Sequence, residues 1–381
     1  LEPAATHPWS IVADVNQDAR DVVALVRRLG RENAALSNDI EADIARGTDQ
    51  LIRYVAAADG LQISADQPVS AHHYANVLFN IMRGGIFAVG YRVEKGDFWG
   101  FVHTRNRPLL EQLAAWFNTL PDTMDLRELY AGAAEQDMAD LDRLCREYLP
   151  LIFSRRHGDP SRPWNLFSIG TRNDDGSRNL NYEGNWRDIF QNWEALLVSY
   201  PEYISNVLSV FLNASTADGY NPYRITREGI DWEIVDPSDP WSYIGYWGDH
   251  QIIYLLKILE LSASHHPHKL SSLLTETRFA FANVPYRIAP YRHLLADPHQ
   301  TIQYDAEEDA RIFDRVSKHG ADGKLLLDAD GEVVLAGLAE KLLLPALVKL
   351  TNFIPGAGIW MNTQRPEWND ANNALVGYGV S

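Results

Sequence analysis

The stretch Tyr182-Glu183-Gly184-Asn185-Trp186-Arg187-Asp188-Ile189-Phe190-Gln191-Asn192-Trp193-Glu194 sets an Arg-Asp pair and two Trp residues at the head of an apolar-periodic run. A guanidinium and a carboxylate offer bidentate hydrogen bonds to vicinal hydroxyls, and an indole face covers the apolar C–H face of a pyranose ring. Two later stretches repeat that chemistry, Tyr246-Trp247-Gly248-Asp249-His250 and Glu367-Trp368-Asn369-Asp370. A carboxyl such as Asp370, beside Trp368 and next to Glu367, would have a raised pKa if loops enclosed it, through desolvation and a like charge. That is the condition a general acid needs at neutral pH.

Each of these residues also has a structural reading. Asp249 and Asp370 stand where helix N-caps are expected, and Arg187-Asp188 could be an ion pair at a helix start. Trp193, at helical spacing from Ile189 and Leu196, is expected in the core, whereas Trp186 and Trp247 are the pocket candidates. Asp231 and Glu233 flank Trp232, and either could serve as a hydrolytic base. Arg155, Arg156, His157 and Arg172 are loop residues suited to an anion or simply to solvent. His265, His266 and His268 are the one tempting metal cluster, but no Cys or acidic group lies among them, so no metal is expected.

Around these motifs the helical period dominates. Val22, Val23, Leu25, Val26 and Leu29 form one apolar stripe, and 38–58 reads as a second helix; together residues 1–75 read as a helical linker region. Residues 76–381 are expected to form the catalytic domain. Its predicted helices cover 76–82, 109–117, 138–148, 189–200, 202–212, 252–261, 271–282 and 337–350, with Pro201 separating two of them. Long loops rich in aromatic and polar residues, 156–185 and 217–249, run between them, and loops of that length in a compact domain are usually functional. The segment 324–335 reads as a β-hairpin turning at Asp328-Ala329-Asp330-Gly331, the only strand pair expected with conviction, and as a plain turn in preference to a calcium loop.

At 381 residues with 46% hydrophobic residues the chain can build a sizeable core, and a net charge of −17 argues against nucleic acid or an anionic membrane as partner. The single Cys145 leaves no intrachain disulfide framework and fits a reducing, cytoplasmic setting. No apolar run reaches the roughly 18 residues of a membrane span, and no signal-peptide pattern opens the chain. Leu1 in place of Met suggests a processed or truncated start.

The motif residues resemble those of cellobiose and chitobiose phosphorylases, glycoside hydrolase family 94. Tyr182 to Glu194 is similar to that family's G-F-R-D-x-x-Q-D segment. Ala217-Asp218-Gly219-Tyr220 opens a loop that ends at Tyr246 to His250, where the family carries an Asn-Asp-Asp-Pro run. Glu367 to Gly377 is similar to G-D-W-N-D-G-M-N-x-V-G. The resemblance implies a mainly α fold, an (α/α)6 toroid of helical hairpins, with the small β-hairpin added. It also implies a phosphorylase-like enzyme that cleaves a β-glycosidic bond with inversion. Asp370 would be the acid, with Trp186, Arg187, Asp188, Trp247, Asp249, Glu367 and Trp368 around an oligosaccharide or β-glucoside. No cofactor is implied beyond inorganic phosphate as co-substrate. The family begins with a β-sandwich that 1–75 does not resemble, and it continues past its Trp-Asn-Asp motif. Hence the ring is expected to be incomplete, completed by a second chain, or rearranged, and a homodimer is the family's usual state. An inverting hydrolase, a non-catalytic carbohydrate-binding protein and a polysaccharide lyase are the alternatives.

Overall fold

A computed structural model describes residues 9, 11–12, 17–30, 33–152, 180–222, 224–232, 238, 246–247, 251–296, 302–351, 353–356 and 358–359. The chain divides into two compact units, Leu1–Ala56 and Ala57–Ser381.

The first unit contains helix Ala19–Leu29 and most of helix Asn33–Ala57. Helix Ala19–Leu29 starts on a capping box: the Asp18 carboxylate accepts the Arg20 and Asp21 N–H groups at 2.7 and 3.0 Å, and the Asp21 carboxylate accepts the Asp18 N–H at 3.0 Å. Arg27 and Arg28 close it against the negative end of the helix dipole, and Arg28 reaches Asp39 of the next helix at 2.9 Å. The stripe read from the sequence is present but remains 46–64% exposed.

In the second unit the mainly α expectation holds, and the packing follows from apolar faces. Helix Ile204–Asn213, buried along its whole length, lies between Ala139–Glu147 and Gln251–His265. Helix Trp186–Ser199 packs against Gln67–Gly84 and Gln251–His265. The approach to Gln67–Gly84 is close because Gly84 has no side chain there: a Cβ would sit 2.6 Å from the Asn192 carbonyl oxygen. Pro201 breaks the chain as expected, with a single 3₁₀ turn, Pro201–Tyr203, between Trp186–Ser199 and Ile204–Asn213.

Several local expectations are corrected. The helix expected over 109–117 is two short ones, Arg107–Gln112 and Ala114–Thr119, parted at Leu113. That expected over 271–282 ends early: Lys269–Leu273 is helical, and Phe279–Ala280 becomes a strand paired with Leu335–Ala336, where burial on both residues favours a ladder. The 324–335 turn forms, with Asp328 Oδ1 accepting the Asp330 and Glu332 N–H groups at 2.9 and 3.0 Å. The expected hairpin is reduced to one antiparallel bridge, Leu327 with Val333, while Leu335 pairs with Ala280, and the strand pairs lie elsewhere, in seven small sheets among the described residues. Helices Lys95–Arg105, Leu126–Ala134 and Ala306–His319 were not expected; the last two start on Asp125 and Asp305 caps that satisfy the orphan N–H groups of the first turn.

Candidate functional site

Strand Glu183–Asn185 runs directly into helix Trp186–Ser199, so Trp186, Arg187 and Asp188 occupy the first helical turn. The strand pairs antiparallel with Arg224–Thr226, placing Asn185 opposite Arg224, and Arg224–Thr226 pairs in turn with Gly229–Asp231. One face of the helix is fixed by burial: Ile189, Phe190, Trp193, Leu196 and Leu197 are all buried. Trp193 meets Tyr182 and Phe190 edge-on at 5.1 and 5.4 Å, in the core as its spacing suggested.

Tyr246–Trp247 pairs with Asn221–Pro222, with Trp247 opposite Asn221. The segment 221–226 therefore pairs with both motif stretches. Asn221 and Arg224 are three Cα steps apart, at most about 11 Å, so two small sheets that carry motif backbones some 60 residues distant in sequence lie near one another. Helix Gln251–His265 begins two residues after Asp249. The side chains of Trp186, Arg187, Asp188 and Trp247, and residues Asp249, Glu367, Trp368 and Asp370 altogether, lie outside the described residues, as do Arg155, Arg156, His157, Arg172 and Glu233.

Of the secondary candidates, Asp231 is engaged by Lys324 at 3.3 Å and Arg224 at 3.4 Å, an arrangement that occupies both carboxylate oxygens. Trp232 donates its Nε1–H to Asp309 at 3.0 Å. The His265 and His266 rings bond to the Leu261 and Pro201 carbonyl oxygens at 3.0 and 3.1 Å, and among the described residues no group of His, Cys, Asp and Glu is arranged to hold a metal.

Behind the three-stranded sheet lies a buried charge cluster that sequence reading missed. Arg105 donates Nε to Asp322 at 3.0 Å and Nη2 to Glu147; Arg143 donates Nη1 to Glu147 at 3.0 Å and Nη2 to Asp322. Asn213 completes it, giving its Nδ2–H to Glu147 at 2.7 Å and accepting the Ala280 N–H at 2.9 Å. The four charged side chains are at most 4% exposed. Burial acts against every charge here, yet the neighbours prevail: Arg143 and Arg105 hold the Asp322 carboxyl below its ordinary pKa, and the two carboxylates hold both guanidiniums above theirs. A cavity of about 20 Å³, room for one water, is bounded by Arg105, Glu147, Tyr182, Asn213, Thr226 and Lys324 among others. The i, i+3 and i, i+4 spacing of Asp140, Arg143 and Glu147 was readable as a helix-face ion set; nothing in the sequence pointed to Asp322, 217 residues from Arg105.

A family model for glycoside hydrolase family 149 insertion domain 1 matches residues 87–150. That stretch holds helices Lys95–Arg105 through Ala139–Glu147 and the ladder of Arg92–Glu94 with Thr123–Asp125, and it supplies Arg105, Arg143 and Glu147 to the cluster. No curated protein matches the chain. The match supports a carbohydrate-active protein of glycoside hydrolase or phosphorylase type, and it does not single out family 94.

Proposed function

We propose that the chain belongs to an enzyme that cleaves a β-glycosidic bond with inversion, by phosphorolysis. The observation that carries this reading is the nearness of two small sheets, Arg224–Thr226 with the strand that enters the Trp186–Ser199 helix and Asn221–Pro222 with the Trp247 strand, in a chain with a glycoside hydrolase insertion-domain match. On this reading Arg187 and Asp188 bind the sugar hydroxyls, with Trp186 and Trp247 against the ring and Asp249, Glu367 and Trp368 completing the pocket. Asp370 gives its proton to the glycosidic oxygen, and inorganic phosphate attacks the anomeric carbon from the opposite face, leaving sugar 1-phosphate and a free acceptor sugar. No protein base is needed for that attack, which agrees with the ion-paired state of Asp231. We assign the helical array to an (α/α)6-type toroid, the enzyme to the cytoplasm, and its assembly to a homodimer or to a second chain that completes the ring.

The test is release of sugar 1-phosphate, against free sugar, from β-linked disaccharides with and without phosphate, using wild type beside Asp370→Asn. Phosphate-dependent sugar 1-phosphate, abolished in the variant, is the expected result. Phosphate-independent free sugar would convert the reading to a hydrolase, and sugar binding without turnover to a binding protein.

A further inference from the structure

We propose that the 87–150 module positions the sugar site, through Asp97 acting on Arg227; the inference rests on the function proposed above. Asp97 lies in the first turn of helix Lys95–Arg105 with its side chain 16% exposed. Its Oδ2 accepts the hydroxyl of Tyr148, a fully buried residue at the far end of the module, and the Arg227 Nη2–H at 2.6 Å. Tyr148 remains a donor, since burial and then the Asp97 charge push its phenol well above its ordinary pKa. The carboxylate is therefore anchored inside the module and presents its charge outward to a single guanidinium.

Arg227 stands in the turn between Arg224–Thr226 and Gly229–Asp231. Besides holding Asp97 it donates Nη1–H to the Leu180 carbonyl at 2.9 Å and its backbone N–H to the Tyr182 carbonyl at 3.0 Å. The second of these continues the ladder of Glu183–Asn185 with Arg224–Thr226 by one rung. One residue thus ties the module to the chain on either side of Asn181, immediately before the strand that ends in the motif helix. Tyr182 is five residues from Arg187, and the intervening strand is hydrogen-bonded throughout, so no slack separates the clamp from the first helical turn. A second contact keeps the hairpin seated: Gly229, at φ +122°, lies against the Arg105 guanidinium, whose Cζ would be 3.6 Å from a Cβ there. Both Arg105 and Arg227 lie over the Phe101 ring, at 5.5 and 5.8 Å.

Asp97 acts through Arg227, so it is a positioning residue. Losing it leaves the Arg227 guanidinium partly buried without its carboxylate and frees Leu180–Tyr182 to shift. A displacement of the strand end moves the hydroxyl-binding pair and weakens sugar binding more than the chemical step.

The test uses the whole chain with the β-linked disaccharide that wild type turns over, reading KM and kcat separately beside the melting temperature. Asp97→Ala is expected to raise KM about tenfold, as the loss of one charge-assisted hydrogen bond would, with kcat within about twofold. Asp97→Asn, which keeps the side chain's shape and an acceptor oxygen but not the charge, is expected to recover part of that loss and guards against a variant that fails to fold. A lowered melting temperature with unchanged KM in both variants would overturn the inference while leaving the proposed function standing. Wild type that neither turns over nor binds any of the sugars, by calorimetry with the same disaccharides, would overturn both.

Discussion

Replacing Asp322 by Leu removes one of two carboxylates from a site that holds two guanidiniums. Arg105 loses its Nε partner at 3.0 Å and Arg143 loses one of the two partners of its Nη2, keeping the partly exposed Asp140 at 3.0 Å, so Glu147 becomes the one buried carboxylate between both cations, in a region where no side chain of the four exceeds 4% exposure. Breaking a buried pair from one side costs about 3–5 kcal/mol, most of it the stranded charge. For a unit of about 300 residues, with an unfolding entropy near 2 cal/mol/K per residue, this corresponds to a fall of about 5–8 °C in melting temperature. Arg143→Met alone should cost a similar amount by stranding Asp322 against Arg105. The double variant retains a matched Arg105–Glu147 pair with Asn213 still bonded to Glu147, so its loss should be smaller than the sum of the singles by at least about 2 kcal/mol. Circular-dichroism melts and urea titrations of the four proteins form the cycle. Losses that simply add, or an Asp322→Leu cost below about 1 kcal/mol, would refute the view that charge balance within this cluster matters to the fold.

Lys341, 1% exposed, donates Nζ–H to the Ser215 and Ala280 carbonyl oxygens at 3.2 and 2.8 Å with the Phe281 ring 3.9 Å away. Burial lowers its pKa well below the ordinary value, against a weaker opposing effect of Glu340. Between that lowered value and the unfolded one near 10.4 the unfolded chain binds more protons, so this group's contribution to stability rises with pH; melts should show that slope in wild type and lose it in Lys341→Met. Gly84→Ala, with its Cβ 2.6 Å from the Asn192 oxygen, should cost about 1–3 kcal/mol, whereas Gly100→Ala, with nothing within 4 Å, should gain about 0.5–1 kcal/mol; chemical denaturation reads both. Asn206→Ala should cost about 2–3 kcal/mol in the same assay, because it leaves the Cys145 and Tyr148 carbonyls and the Tyr130 hydroxyl without their partner.

Long apolar-periodic runs were legible in the sequence: Ala19–Leu29, Asn33–Ala57, Gln251–His265 and Leu338–Thr351 all follow their stripes, and Pro201 marked a break by its missing N–H. Helix Ala306–His319 was missed because its stripe is narrow; only Ile312 is buried, and the segment is carried by the Asp305 cap and ion pairs such as Arg311 with Glu308. Thr275 to Ala282 was misread because its last residues pair with Leu335–Ala336, a partner some 55 residues away that local periodicity does not register. The same limit applies to the site. Arg187-Asp188 and Trp247 could be singled out by residue type, but the pairing of Glu183–Asn185 with Arg224–Thr226 and of Tyr246–Trp247 with Asn221–Pro222 is a matter of register. Asp97, Arg227 and Asp322 acquire meaning from partners far off in sequence, 130 residues for Asp97 with Arg227 and 179 for Asp322 with Arg143.

The most direct measurement of the central claim is the anomeric configuration of the first product, followed by proton NMR as a β-linked disaccharide reacts in phosphate buffer. The account predicts α-configured sugar 1-phosphate as the initial species. A β-configured first product would mean retention, and would contradict a single displacement assisted by Asp370.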